Sequence, residues 1–146
     1  MIYKERPQNF DPRFEVASCF LEHDGKFLLL LRHDHKPQGN TWGAPAGKIE
    51  NGETGVDAIT REIQEETGYL ADPQELTGLQ ILYVRYPEYD FVYHTYRLKL
   101  ARPHQVVLEP AGHKEYCWVT PQEAFSLQLI PDMDTVIRLF YRTPES

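Results

Sequence analysis

An α/β sandwich is the fold class this sequence predicts, and three observations predict it. Apolar runs of strand length, rich in β-branched and aromatic residues, stand on both sides of one well-punctuated helix at residues 54–68. Further helix signals come only near the end of the chain, where a helix is free to cover the other face of the sheet. The strands do not alternate with helices as a repeated βαβ array requires, so the pattern is a sandwich. At 146 residues the chain fits one domain, 1–146, long enough to bury a core without disulfide or metal staples.

The elements follow in order. Residues 1–13, "MIYKERPQNFDPR", carry two prolines and no period, and read as an N-terminal arm of which only part need be ordered. "FEVASCFLEHDGKFLLLLR" is two apolar runs joined by a turn at Asp24-Gly25, a β-hairpin. Residues 33–47 hold two prolines and three glycines and read as a loop. Thr54 caps the central helix, Asp57 completes a capping box, and Gly68 suits the left-handed exit. "LQILYVRY" and "FVYHTYRLKLA" are strands joined by "PEYD", followed by shorter strands "QVVLE" and "EYCWV". "TPQEAF" pairs a Thr120 cap with Pro121 and Glu123, and "PDMDTVIRLFYR" repeats the start signal with a weaker stop.

Composition excludes several classes. With 22 acidic against 15 basic residues the formal charge is −7, which offers no general basic surface for the phosphates of a nucleic-acid polymer. The apolar runs fall short of the roughly 18 residues that span a bilayer, and the start lacks the apolar core of a signal peptide. A soluble, cytoplasmic protein is expected. Cys19 and Cys117 each sit inside an apolar strand, as buried reduced thiols do.

The central helix gathers like charge. Glu62, Glu65 and Glu66, spaced i, i+3, i+4, share roughly 100° of one face, while Ile59 and Ile63 form a separate stripe for packing, which leaves the acidic face open. Like charges at this spacing cost the helix a few tenths of a kcal/mol, and glutamates near its C-terminal end oppose the dipole. A hard divalent cation, Mg²⁺ or Mn²⁺, reverses that balance, because it prefers clustered carboxylate oxygens with water and phosphate completing its shell. Zinc has no His/Cys spacing to use; "HDH" at 33–35 is short and loop-borne.

Residues 47–69, "GKIENGETGVDAITREIQEETGY", match the Nudix box G-x5-E-x7-R-E-U-x-E-E-x-G-U through Gly47, Glu53, Arg61, Glu62, Ile63, Glu65, Glu66 and Gly68. With each fixed type at roughly 5–7% of average composition, a chance match at one start is on the order of 10⁻⁸. Tyr69 departs from the aliphatic residue usual at the last position and touches no ligand role. The chain therefore resembles a Nudix hydrolase, and the resemblance implies an α/β/α sandwich with a mixed central sheet. It also implies metal-dependent hydrolysis of a nucleoside diphosphate linked to a group X. Carried over by position, Glu62, Glu65 and Glu66 with the carbonyl of Gly47 are the metal ligands, and Arg61 pairs with Glu53 to orient the carboxylates.

The family takes its general base from the box or from a later loop, which leaves Glu62 and Glu115 as candidates. Arg32, Lys48 and Tyr86 are candidate substrate contacts, Lys48 toward the phosphates. The partner is a small nucleotide, and the resemblance allows a homodimer. The compact length is similar to nucleoside triphosphate pyrophosphatases acting on (d)NTPs or damaged nucleotides. Some Nudix subfamilies that act on dinucleoside polyphosphates carry a tyrosine sixteen to eighteen residues after the box, and Tyr86, seventeen after Tyr69, resembles that pattern. ADP-ribose and nucleotide-sugar hydrolases, and a sensing module that binds without cutting, complete the alternatives.

Overall fold

Asp24 and Gly25 both take positive φ, 53° and 77°, as a two-residue hairpin turn of this twist requires, and they join β2 (Pro12–His23) to β3 (Lys26–Arg32). The two strands pair only at Glu22↔Phe27 and His23↔Lys26. Beyond the turn they part, and this fork organises the molecule. In this computed structural model, which describes residues 1–141, β2 runs parallel to β7 (Asp90–Lys99) from Pro12↔Asp90 to Glu22↔Lys99. β7 is followed outward by β6 (Thr77–Arg85) and a short β1 (Ile2–Tyr3), both antiparallel. On the other arm, β3 pairs antiparallel with β8 (His113–Val119) and with β4 (Trp42–Gly43). The sheet is therefore mixed.

Alternation along the strands assigns the two faces. Ala17, Cys19 and Leu21 of β2 and Leu28 and Leu30 of β3 pack with Ala58, Ile59 and Ile63 of α1 (Gly55–Thr67). The intervening Phe20, Phe27 and Leu29 pack with Ala124 of α2 (Pro121–Ala124) and with Met133, Val136 and Ile137 of α3 (Met133–Phe140). The helices thus lie on opposite faces, an α/β/α sandwich. Ile59 and Ile63 are fully buried, each contributing about 1.5–3 kcal/mol.

The ends of α1 follow the sequence closely. Thr54 accepts from the Asp57 N–H and the Asp57 carboxylate from the Thr54 N–H, both at 3.1 Å, and Gly68 exits at φ 78°. Thr120 and Glu123 close the same box on α2.

Four readings need correction. "QVVLE" is not a strand: the Val107 N–H and a His104 ring nitrogen both bond the Thr67 carbonyl, so this stretch closes the end of α1 rather than joining a sheet edge. Residues 33–47 are not all loop, because β4 and the start of β5 (Ala46–Lys48) lie there, paired to β3 and β2. The arm stops short of residue 13, because Pro12 and Arg13 already belong to β2, and the part of it that pairs is Ile2 and Tyr3, opposite Val84 and Tyr83. Asp132 precedes α3 at φ 68° and makes no side-chain capping bond, since a left-handed residue does not aim its carboxylate at the first amides as an extended cap does. The last residue of the "PDMDTVIRLFYR" reading, 142, lies outside the described residues, as do residues 143–146.

Candidate active site

β5 leaves β2 and crosses the acidic side of α1, and this packing decides the state of the glutamates. Gly47 sits directly beneath Glu62, so that a Cβ added there would run into the Glu62 carboxyl carbon and both of its oxygens. The missing side chain is what lets the carboxylate lie on the backbone. The Ala46 N–H, one residue earlier, donates to Glu66 Oε1 at 3.1 Å. The expected open acidic face is therefore largely closed: the Glu62 side chain is 13% exposed, and only Glu65, at 55%, remains in solvent.

Arg61 organises the carboxylates. Its Nε and Nη2 donate to Glu53 Oε2 and Oε1 at 2.9 and 3.0 Å, a two-point pair, while Nη1 donates to Glu62 Oε1 at 2.7 Å. Nη2 also reaches the Lys48 carbonyl at 3.1 Å, which ties the helix to β5. Glu65 Oε2 stands 3.6 Å from Nη1. The Arg61 bonds, with a backbone N–H from Glu50, hold the Glu53 carboxyl down at about 2, and the same bonds push the guanidinium further up.

Glu62 and Glu66 stand one helical turn apart on the same face of α1, close enough for each to act on the other's charge. Burial raises both. At Glu66 the charge of Glu62 adds to it, opposed by the Ala46 N–H and the Arg32 charge; at Glu62 the bonds from Glu66 and Arg61 oppose it. Two carboxyls so placed share a proton or need a cation between them. Among the described residues no three His, Cys, Asp or Glu side chains are gathered about one point, because Glu62 is drawn to Arg61 and Glu65 stands in solvent. The donor set nonetheless fits a hard divalent cation: paired carboxylates in the cradle a Gly47 Cβ would fill, with a third close by.

A cavity of about 480 Å³ opens beside this centre, within the fork between β2 and β3. Glu66, Ala46 and Gly47 form one end, with Arg32, Lys48 and His113 nearby, and Phe14, Tyr86, Tyr89, Phe91 and Tyr93 form an aromatic wall. Arg32 lines it at the end of β3, its Nε donating to the Pro37 carbonyl at 2.8 Å. Lys48 holds its Nζ 4.3 Å from the centroid of the Phe14 ring. Tyr86 is half-buried in the wall, and burial pushes its phenol up. Glu115 is elsewhere: it lies exposed on β8, opposite Leu31, and is not part of the cavity lining.

Sequence reasoning missed Phe14 and His113. Phe14 read only as the first residue of its strand run. His113 lies two residues before Glu115, at a bulge in β8 that sets it beside Arg32. It is 8% exposed, and its Nδ1 has no hydrogen-bond partner among the described residues. Burial, and then the Arg32 charge, push the imidazole down to about 4, so it is neutral at pH 7.

The NUDIX domain family matches residues 12–140. The chain is 27% identical to the CTP pyrophosphohydrolase of Escherichia coli K12 over 124 residues, covering 80% of this chain and 83% of that protein. It is 47% identical over 60 residues to a Bacillus subtilis protein described as the uncharacterized Nudix hydrolase YvcI, covering 40% of this chain and 35% of that one. The 8-oxo-dGDP phosphatase NUDT18 of mouse matches at 36% over 67 residues, covering 46% of this chain and 20% of that protein. The matched stretch thus spans a minor part of the last two relatives. Among solved structures, the MutT protein of Methanosarcina mazei Go1 superposes with a TM-score of 0.73 at 20% identity, over 90% of this chain and 95% of that one.

Proposed function

The chain belongs to the Nudix hydrolase family, and we propose that it hydrolyses a diphosphate linkage in a nucleoside diphosphate-X substrate, first a (d)NTP or a damaged nucleotide. The observation that carries this reading is the pair of Glu62, set against Gly47, and Glu66, bonded to the Ala46 N–H, beside a cavity that Gly47 and Glu66 line together with an aromatic wall. Glu62, Glu65, Glu66 and the carbonyl of Gly47 would hold Mg²⁺ or Mn²⁺, whose chemistry is to neutralise diphosphate oxygens and acidify water.

The chain's own residues supply the rest. Arg61, fixed by Glu53, keeps Glu62 on Gly47 and limits the reorganisation that chemistry would require. Arg32 and Lys48 balance phosphate charge at the cavity's polar end, and the aromatic wall excludes water and takes the base. For the proton of the attacking water, Glu62 has better support than Glu115, because its carboxylate lies against Gly47, which lines the cavity, while Glu115 lies exposed on β8.

Two relatives support a nucleotide with a terminal di- or triphosphate, since their names give 8-oxo-dGDP and CTP. The free cysteines suit a reducing compartment, the cytoplasm, and among the described residues no helix is long and apolar enough to cross a membrane. The test is turnover of nucleoside triphosphates, oxidised guanine nucleotides, diadenosine polyphosphates, ADP-ribose and nucleotide sugars, with and without Mg²⁺, with products identified by mass. Metal-dependent cleavage within one class supports the reading and assigns the bond. Tight nucleotide binding with no cleavage of any member would replace it with the sensing module.

A further inference from the structure

We propose that Phe14 is the stacking platform for the substrate's nucleobase, and that Lys48 covers this ring in the free protein and moves to the phosphates when substrate binds. The inference rests on the nucleotide reading above and deepens it. β5 pairs with β2 so that Lys48 stands opposite Val16, two residues from Phe14 and on the same face, which brings its side chain diagonally across to that ring. There the ammonium sits 4.3 Å from the ring centroid. Phe91 stacks with Phe14 at 5.5 Å between centroids and 16° between planes, and Tyr89 adds a tilted contact at 5.2 Å. These contacts hold the Phe14 ring in a fixed attitude at the cavity wall.

The root of Lys48 lies at the other end of the site. Its carbonyl accepts from Arg61 Nη2, and the residue before it is the glycine under Glu62. One flexible four-carbon stem therefore commands both the aromatic wall and the carboxylate centre. An ammonium is held more strongly by a phosphate oxyanion than by an aromatic face, so a polyphosphate entering at the Gly47 end draws Lys48 off the ring. The face it leaves is free for a base. The exchange couples phosphate recognition to base recognition, and a ligand with phosphates alone would use Lys48 but not Phe14.

The experiment measures KM for the best nucleotide and inhibition by inorganic tripolyphosphate, for the wild type and for Phe14→Leu, Phe14→Tyr and Lys48→Met, with folding checked by circular dichroism. Phe14→Leu is expected to raise the nucleotide KM roughly tenfold with little change in kcat, and to leave tripolyphosphate inhibition unaltered. Phe14→Tyr, which keeps a ring, restores the wild-type KM. Lys48→Met weakens tripolyphosphate inhibition roughly tenfold. A wild-type KM in Phe14→Leu, an equal loss of tripolyphosphate inhibition in that variant, or unchanged inhibition in Lys48→Met overturns the inference while the nucleotide reading stands. Absence of nucleotide turnover and binding in the wild type overturns both.

Discussion

Arg61 and Glu53, eight residues apart, meet in a two-point pair with both N–O distances at or below 3.0 Å, and the same guanidinium grips Glu62 and the Lys48 carbonyl. Four anchors on one planar group leave the Glu62 carboxylate little freedom. Arg61→Lys keeps the charge but loses the fork, so it should lower kcat/KM about 10- to 100-fold. A drop confined to the melting temperature, with kcat/KM intact, would show the pair to be only structural.

Gly47→Ala tests the cradle. The new Cβ meets a side chain and not backbone, so the fold should survive with a loss of roughly 1–2 kcal/mol while Glu62 is pushed off its seat. Titration with Mn²⁺, followed by electron paramagnetic resonance, should show metal affinity weakened about tenfold or more. Wild-type Mn²⁺ affinity in this variant would remove Glu62 from the ligand set.

Glu66→Gln separates charge from packing. The neutral amide fills the same space, still accepts from the Ala46 N–H, and ends the repulsion with Glu62, so metal-free stability should hold or rise by about 1 kcal/mol. Metal-dependent turnover should fall at least about a hundredfold. Mg²⁺ should raise the melting temperature of the wild type and leave that of the variant nearly unchanged. Full activity in Glu66→Gln would refute the metal assignment.

His113 gives stability a pH dependence. Its pKa falls from the ordinary 6.5 to about 4 in the folded chain, so between these values the unfolded state binds more protons. Its contribution is complete above pH 6.5 and is lost as the pH falls toward 4. At about 1.4 kcal/mol per unit, the loss reaches at most about 3.5 kcal/mol. Urea unfolding at pH 7 and pH 5 should show a larger drop for the wild type than for His113→Asn. Parallel drops would exclude the imidazole as the cause.

The sequence alone determined the acidic helix, its caps and its packing stripe, because each depends on residues within four positions of one another. Thr54 with Asp57, Gly68, and Ile59 with Ile63 are local relations, and the structure reproduces all three. The hairpin at Asp24-Gly25 was legible for the same reason. Family membership came with the helix, since the box is one continuous stretch.

What the tertiary structure decided lies between segments far apart in the chain. "QVVLE" has a strand's composition, but no sheet edge takes it, and the Thr67 carbonyl at the end of α1 claims the Val107 N–H. The glutamates on one helix face carry the same charge in sequence, yet β5 buries Glu62 and Glu66 and leaves Glu65 in water, so one pattern yields different electrostatics. Phe14 becomes part of an aromatic wall only because the parallel pairing of β2 with β7 brings it beside Phe91, seventy-seven residues later. Local hydrogen bonding and side-chain periodicity are written residue by residue. Burial and proximity arise only when distant strands choose their neighbours, and those choices made a cavity beside the acidic helix.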